Sequence, residues 1–301
     1  MIAAPETRAG FVAIVGAPNV GKSTLVNRFV GAKVSIVSPK VQTTRTRVLG
    51  ICIAGAAQLI LVDTPGIFQP RRRLDRAMIA AAWSGAADAD AVLVVVDAEA
   101  GLDTDTRTIV ERLKAAGRKA LLAINKVDAV KKPRLLKLAA ELDRFGIFTD
   151  TFMISALTGD GVEDLKRFLA DRLPPGPWLY PEDQISDMPE RLTAAEITRE
   201  QLYLQLRQEL PYAAAVETTD WRDKDDGSVR IEQAIYVERE SQKAIVVGKQ
   251  GSRVKALGEA ARKQLEAIFG RRVHLFLAVK VKPKWGDDPA RYRDLGLDFG
   301  A

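Results

Sequence analysis

Short apolar runs alternate with amphipathic segments along residues 11–175. The alternation predicts an α/β domain, a mostly parallel sheet with helices on both faces, because strands covered on both faces read as continuous apolar runs. The predicted strands are Phe11–Val15, Val48–Ala54, Leu59–Val62, Ala91–Val96, Ala120–Ile124 and Thr151–Ile154. The predicted helices are Lys22–Val30, Arg72–Ser84, Asp105–Ala116, Lys132–Phe145 and Gly161–Leu173.

A second pattern follows the Pro/Gly cluster Pro174–Trp178, which ends the last of these helices. It predicts a helix, two strands, a short helix, a long helix and a strand: Leu192–Leu210, Ala213–Thr219, Val229–Glu238, Gln242–Val247, Ser252–Phe269 and Val273–Val281. We therefore expect a first domain at 1–176, a linker at 177–191, a smaller α+β domain at 192–285 and an extended tail at 286–301.

Composition narrows the class of protein. Cys52 and His274 are the single cysteine and histidine of the 301 residues, which excludes an internal disulfide and argues against histidine-rich metal sites and His-dependent triads. Neither a signal peptide nor a bilayer-length apolar run is visible, so we expect a cytoplasmic monomer, with peripheral contact at the inner membrane left open. Gln242–Trp285 carries 11 Lys and Arg against two Glu, a net +9 in a chain of +6, and this predicts a polyanionic partner.

The first candidate for chemistry lies between the first strand and the first helix, in Gly16-Ala17-Pro18-Asn19-Val20-Gly21-Lys22-Ser23-Thr24. It matches G-x-x-x-x-G-K-[ST] in the strand–loop–helix context of a phosphate-binding loop. The glycines let backbone N–H groups face phosphate oxygens, Lys22 suits the outer phosphates, and the Ser23 hydroxyl suits Mg²⁺. The alternative is an accidental turn.

Three more motifs follow strands, at the sheet edge where α/β domains bind ligands: Asp63-Thr64-Pro65-Gly66, Asn125-Lys126-Val127-Asp128 and Ser155-Ala156-Leu157. Asp63 could reach Mg²⁺ and the Gly66 N–H a γ-phosphate. A buried Asp128 carboxylate could accept two hydrogen bonds that guanine donates and adenine cannot. Each motif alone also fits an ordinary solvated turn.

In this order, and with the polar loop Ser38–Arg47 between the first two, the motifs resemble the five signatures of P-loop GTPases. The resemblance implies Mg²⁺-dependent GTP hydrolysis, with Thr44 (or Thr43) as a switch ligand that binds the metal when a γ-phosphate is present. It implies metal ligands Ser23, Thr44 and Asp63, and catalytic roles for Lys22, Thr44, Gly66 and Asn19. The implied nucleotide contacts are residues 16–24, Asp63, Thr64, Pro65, Gly66, Asn125, Lys126, Asp128, Ser155, Ala156 and Leu157.

One departure concerns the catalytic water. Ile67 stands where Ras-like members often carry a glutamine, and a hydrophobic side chain cannot orient water, so we expect slow intrinsic turnover. Asn19 resembles the subgroup that uses K⁺ to stabilise transition-state charge; a loop-bracing amide is the alternative.

Gly248-Lys249-Gln250-Gly251 joins the short and long helices of the second domain, inside the basic block. This resembles a type II KH domain, whose GxxG loop clamps about four single-stranded nucleotides. It implies RNA contacts from Gly248, Lys249, Gln250, Gly251, Arg253, Lys255, Lys282, Lys284 and Trp285. The alternatives are a basic solvated helix face and, for Trp285, a packed end rather than a stacking platform.

The two domains together, with Gln42–Arg45 and Asp287–Tyr292, resemble the Era family of bacterial GTPases over nearly the whole chain. The resemblance implies a factor in maturation of the small (30S) ribosomal subunit that binds the 3′ end of 16S rRNA, with occasional peripheral membrane association. A non-switching RNA-binding adaptor and a tRNA-modification GTPase remain as alternatives.

Overall fold

The computed structural model describes residues 6–40, 43–45, 47–70, 72–206, 210–283, 285, 288–289, 292 and 296–300. They fall into two compact units. The first unit holds the described residues up to Ser35, Thr44–Asp187 and residues 296–300. The second holds those within Ile36–Thr43 and Met188–Asp294, so the chain visits the second unit early and returns.

The first unit is built on a six-stranded sheet of order β2-β3-β1-β4-β5-β6, in which β2 pairs antiparallel with β3 and all other pairs are parallel. Its elements are β1 (Arg8–Val15), α1 (Lys22–Val30), β2 (Val48–Ala54), β3 (Ala57–Asp63), α2 (Arg73–Asp88), β4 (Ala91–Asp97), α3 (Thr104–Ala115), β5 (Ala120–Asn125), α4 (Lys132–Asp143), β6 (Phe148–Met153) and α5 (Val162–Arg172).

The core of this unit lies on both faces of the sheet. Successive residues of β1 point to opposite faces, so Val12 and Ile14 pack with α1 and α5, whereas Ala13 and Val15 pack with α2, α3 and α4. Burial on both faces explains why the strands read as unbroken apolar runs. The carboxyl ends of β1, β3, β4, β5 and β6 therefore meet at one edge, where the loops carrying the motifs begin.

Two element boundaries differ from the prediction for identifiable reasons. Helix α2 runs to Asp88 rather than Ser84, because Gly85 packs closely over β3, where an added Cβ would lie 3.5 Å from Val62. Strand β6 is Phe148–Met153 rather than Thr151–Ile154. It is an edge strand with alternating burial, so its first half gives no continuous apolar run.

The second unit has a three-stranded sheet of order β7-β8-β9, with β7 antiparallel and β9 parallel to β8. Its elements are α6 (Glu190–Gln205), β7 (Ala215–Asp223), β8 (Val229–Val237), α7 (Glu240–Val247), α8 (Ser252–Phe269) and β9 (Val273–Val281). The predicted order of elements, and with it the α/β plus α+β fold class, is confirmed.

Two expectations for this part of the chain are wrong. Helix α6 ends at Gln205 rather than Leu210, because Leu206 already has an extended backbone (φ −97°, ψ 155°). The C-terminal segment is not a free extended tail at the positions described: Tyr292 and Leu297 are buried, and the Phe299 ring lies 4.5 Å from the Arg73 guanidinium carbon. Burial of these apolar side chains favours packing over solvation.

Among the described residues, none of the helices combines the length and the apolar character needed to cross a membrane.

The position of Cys52 makes its thiol testably inert. It lies in β2 with 7% of its surface exposed, and burial raises its pKa to about 11. We expect iodoacetamide at pH 8 to label Cys52 on the order of 100-fold more slowly in the native than in the urea-unfolded protein, because the thiolate is the reactive form. Mass spectrometry of a labelling time course measures the ratio; equal rates would contradict the burial.

Candidate functional site

The phosphate loop connects β1 to α1 through two glycines that no other residue could replace without a shift of the backbone. A Cβ on Gly16 would lie 2.5 Å from the Val95 carbonyl oxygen. Gly21 has φ +98°, and its Cβ would lie 2.3 Å from the Asn125 amide nitrogen. Both glycines are therefore required by close packing against neighbouring strand ends, and the loop is held in a fixed curve.

Lys22 points into this curve. Its side chain is buried, and Nζ donates to the carbonyl oxygens of Gly16 (3.1 Å) and Ala17 (2.8 Å). Burial lowers the pKa of Lys22 to about 8, an effect that the nearby charge of Asp63 opposes. An ammonium stored against carbonyl oxygens suits an anionic ligand, because phosphate oxygens are stronger acceptors for a charged donor.

Three hydroxyl groups converge on the Asp63 carboxylate at the end of β3. Oδ2 accepts hydrogen bonds from Ser35 (2.6 Å), Ser23 (2.7 Å) and Thr44 (3.3 Å), and the Ser23 and Thr44 hydroxyls lie 2.9 Å apart. Burial raises the pKa of Asp63, and the hydroxyl hydrogen bonds and Lys22 oppose this rise.

The same cluster fits a hard divalent cation. The Oδ1 atom of Asp63 is buried without a hydrogen-bond partner among the described residues, and all the surrounding donors are oxygens. Oxygen ligands of this kind are those that Mg²⁺ prefers. Thr44, rather than Thr43, lies in the cluster: the Thr43 hydroxyl instead bonds Ser38 and the Lys40 carbonyl.

The Asp63–Gly66 loop lies directly over the phosphate loop. A Cβ on Gly66 would lie 2.9 Å from the Pro18 Cα, and the Ile67 amide donates to the Gly16 carbonyl (3.1 Å). The Ile67 side chain is buried, so it projects into the core rather than toward solvent. This placement leaves the Gly66 backbone, and not a side chain at 67, beside the phosphate loop.

Asn125 joins the loops on the base side. Its buried amide donates from Nδ2 to the Val20 carbonyl (2.7 Å) and accepts at Oδ1 from the Ala156 amide (2.9 Å). One side chain therefore ties the phosphate loop, the end of β5 and the Ser155–Leu157 loop together. The Ser155 side chain is buried, whereas Leu157 is exposed.

Asp128 and Lys126 differ in how firmly they are held. Lys126 adopts a left-handed backbone (φ +65°), and its ammonium lies 2.6 Å from the Asp97 carboxylate at the end of β4. Asp128 is exposed, not buried as the sequence argument assumed, because it sits on a short turn with no other side chain over it among its recorded contacts.

Three side chains near this site were missed by sequence reasoning. Ser35 is fixed by Asn27, whose Oδ1 accepts from the Ser35 amide (2.9 Å) and whose Nδ2 donates to its carbonyl (2.7 Å). Asp97 pairs with Lys126, and Arg28 donates to the Ala156 carbonyl (3.2 Å). Ser35 and Arg28 gave no pattern signal; Asp97 stands at a strand end, which is a usable signal.

The GxxG loop occupies the turn between α7 and α8. Gly248 and Gly251 have φ of +72° and +78°, and a Cβ on Gly248 would lie 2.7 Å from the Arg253 Cβ. Gln250 also has positive φ (+52°). The basic side chains Lys249, Arg253 and Lys255 are exposed around this turn, although Arg253 also donates to the Ile245 carbonyl (2.6 Å). The turn thus exposes backbone and positive charge together.

The remaining predicted RNA contacts divide three ways. Trp285 is 4% exposed and its indole N–H donates to the Ala213 carbonyl (2.8 Å), so the stacking platform is wrong and the packed end is correct. Lys282 pairs with Asp288, which neutralises its charge. Lys284 lies outside the described residues.

Comparisons with known proteins agree with both sites. A family model of a 50S ribosome-binding GTPase matches residues 11–126, and one of a KH domain matches residues 209–286. GTPase Era of Brucella suis biovar 1 is 60% identical over 296 residues, 98% of this chain and 95% of that protein. GTPase Era of Sinorhizobium medicae is 60% identical over 297 residues, 99% and 96% of the two chains.

Two solved structures match with a TM-score of 0.91 and 40% identity, over 96% of this chain and 99% of theirs. One is Era in complex with MgGDPNP and nucleotides 1506–1542 of 16S ribosomal RNA. The other is a variant of Aquifex aeolicus Era bound to GDP and AlF4⁻.

The bracing role of Asn125 is testable by Asn125→Ala. The change leaves the buried Val20 carbonyl and Ala156 amide unpaired, so we expect about 1–3 kcal/mol of lost stability and a similar weakening, about tenfold or more, of GDP and GTP-analogue binding. Calorimetric titration and urea unfolding measure both. Leu136→Ala, at an exposed position of α4, is the control; nucleotide affinity unchanged by Asn125→Ala would refute the brace.

Proposed function

Because the chain belongs to the Era family and is a GTP-hydrolysing, RNA-binding protein, we propose that it is a guanine-nucleotide switch that assists 30S subunit assembly by binding 16S rRNA near its 3′ end. The observation that carries the proposal is the presence, in one chain, of the Ser23–Thr44–Asp63 cluster beside a phosphate loop and of an exposed basic GxxG turn.

In this proposal the phosphate loop, residues 16–24, binds the phosphates through its N–H groups and Lys22. Ser23, Thr44 and Asp63 would hold Mg²⁺, which neutralises developing negative charge on the phosphates when it is bound. Thr44 reaches the cluster from a different part of the chain than Ser23, so its position can report whether a γ-phosphate is present. Gly66, beside Pro18, can offer its N–H to the same phosphate.

Catalysis in this proposal does not use a side chain at 67, since Ile67 is buried. Asn19 is exposed at the turn of the phosphate loop with φ +62°, a conformation that asparagine tolerates well. A side-chain amide oxygen there could help hold K⁺ against the phosphates, where the cation would stabilise transition-state charge. The backbone requirement alone is the competing explanation for Asn19.

The guanine preference is assigned to Asp128, with Asn125 as brace, the Lys126 stem over the base, and the Ser155, Ala156 and Leu157 backbone near the guanine carbonyl. The exposure of Asp128 supports this assignment, because a carboxylate that must accept two hydrogen bonds from a ligand should not be committed to protein donors.

RNA recognition is assigned to Gly248, Lys249, Gln250, Gly251, Arg253 and Lys255. Close backbone approach at the glycines and the three exposed cations suit single-stranded phosphates, and the exposed Ile245 supplies apolar surface for bases. The site lies in the second unit, so nucleotide-dependent RNA affinity requires coupling between units, and coupling of binding free energies is reciprocal.

Location and assembly are proposed on family resemblance alone: a cytoplasmic monomer, with peripheral contact at the inner face of the membrane. The tRNA-modification alternative loses support, since Cys52 is buried with a raised pKa and is no nucleophile.

The specificity assignment predicts a change of substrate in Asp128→Asn. An amide presents one acceptor and one donor, so it opposes the guanine amine but matches the carbonyl that xanthine carries in its place. We expect GTP affinity to fall about 100-fold and XTP to become the better ligand. Competition binding with the two nucleotides measures this; a retained preference for GTP would place specificity elsewhere.

The cation hypothesis predicts faster GTP turnover in KCl than in NaCl at equal concentration. We expect at least about a tenfold difference, and its loss in Asn19→Ala, because K⁺ contributes only when the loop can hold it. Phosphate release at saturating Mg²⁺ is the measurement. Equal rates in the two salts would remove K⁺ from the account.

The RNA partner is tested by crosslinking to total cellular RNA with GTP analogue or GDP bound, followed by sequencing. We expect enrichment of the 3′ end of 16S rRNA with the analogue and its loss in Lys249→Asp/Gln250→Asp, which adds negative charge at two exposed positions of the turn. Equal enrichment with GDP would favour the non-switching adaptor, and enrichment of another RNA would overturn the ribosomal assignment.

A further inference from the structure

The 36–43 segment, by which we mean residues 36–40 and 43, precedes Thr44 and is a structural part of the second unit. Ile36 is 4% exposed and packs in a core cluster with Ala194 and Ile197 of α6 and Leu265 of α8. A residue in the loop after α1 of a nucleotide-binding domain thus contributes to the core of the other unit. Its burial anchors the start of the segment.

Both ends of the segment are also bound through their backbone to one helix. The Val37 amide donates to Oε1 of Glu200 (2.8 Å), and the Thr43 carbonyl accepts from Nη2 of Arg199 (2.6 Å). Arg199 is in turn fixed by Glu196, whose Oε1 accepts from its Nε (2.8 Å). All three side chains are buried on α6, so these bonds are shielded from water.

The middle of the segment is held at the end of the same helix. The Lys40 ammonium donates to the carbonyls of Tyr203 and Leu206, which belong to the last turn and C-cap of α6. These carbonyls lack intrahelical partners, and a cation is favoured at the negative end of a helix. Inside the segment, the Ser38 and Thr43 hydroxyls lie 2.7 Å apart and close the turn.

The burial of α6 supports a binding role for its polar residues. Every residue from Ala194 to Tyr203 is buried, including Glu196, Arg199 and Glu200. Buried polar side chains persist where they have partners, and here the partners are backbone groups of the 36–43 segment.

Thr43 and Thr44 are adjacent in sequence. The Arg199 bond fixes the Thr43 carbonyl, and the next residue carries the hydroxyl that bonds Ser23 and Asp63. Holding the backbone one peptide away restricts where the Thr44 hydroxyl can lie. Removing these bonds lowers the population in which Thr44 occupies the cluster, and a ligand that needs that population binds more weakly in proportion.

We infer that Glu200, Arg199 and Lys40 are positioning residues for Thr44: through the 36–43 segment, α6 of the KH unit determines how well the nucleotide site binds GTP as distinct from GDP. The inference rests on the proposed function, in which Thr44 serves the γ-phosphate state only. It assigns to α6 a role in nucleotide discrimination that neither the phosphate loop nor the GxxG turn performs.

The test compares Lys40→Ala and Glu200→Ala with two matched variants. Glu200→Gln keeps an acceptor for the Val37 amide and should restore wild-type behaviour. Lys137→Ala removes one exposed lysine from α4 and controls for net charge. Each variant is titrated with a non-hydrolysable GTP analogue and with GDP at saturating Mg²⁺, and its thermal melting is recorded.

We expect analogue affinity to fall about tenfold in Lys40→Ala and Glu200→Ala, GDP affinity to stay within about twofold, and Glu200→Gln and Lys137→Ala to match the parent. Lys40 is partly exposed, so Lys40→Ala keeps the test open if Glu200→Ala unfolds. Equal losses for both nucleotides, no loss for either, tighter analogue binding, or the same loss in Lys137→Ala would each overturn the inference. Absence of nucleotide binding by the parent protein would instead refute the proposed function.

Discussion

The buried carboxylate of Asp63 is the interaction on which the nucleotide site depends. Removing a carboxylate from water costs free energy unless donors or a cation compensate it, and its raised pKa reflects that cost. Ser23, Ser35 and Thr44 donate to one of its oxygens, and the other oxygen has no partner among the described residues. One buried charge therefore holds three chain segments together and leaves a position that suits a cation.

The same charge links the chemistry to the second unit. Ser35 is the last residue of the first unit before the chain enters the second, and Thr44 is the first after its return. Both hydroxyls bond Asp63, so the excursion begins and ends at this carboxylate. Between them the 36–43 segment is bound to α6. A change at the metal cluster that releases Thr44 pulls on backbone that Arg199 and Glu200 hold.

The sequence was sufficient for the parts of the site that depend on local geometry. Gly16, Gly21, Lys22 and Ser23 could be recognised because a strand, a glycine loop and a helix N-terminus are contiguous. Ser35, Asp97, Arg199 and Glu200 could not, because their partners lie far away along the chain and the polar residues of α6 read as a solvated face. Trp285 was ambiguous for the same reason: its partner, Ala213, is distant in sequence. Long-range burial, not local propensity, decided these residues.

Hydrogen exchange at the backbone amides of residues 36–44 tests the central claim most directly, since these amides report whether Thr44 and its segment are held. The account predicts slower exchange with Mg²⁺ and a GTP analogue than with Mg²⁺ and GDP, with the Val37 amide, bonded to Glu200, among the most strongly protected. Exchange that is the same with both nucleotides across the segment would contradict it, because Thr44 would then occupy the cluster irrespective of the γ-phosphate.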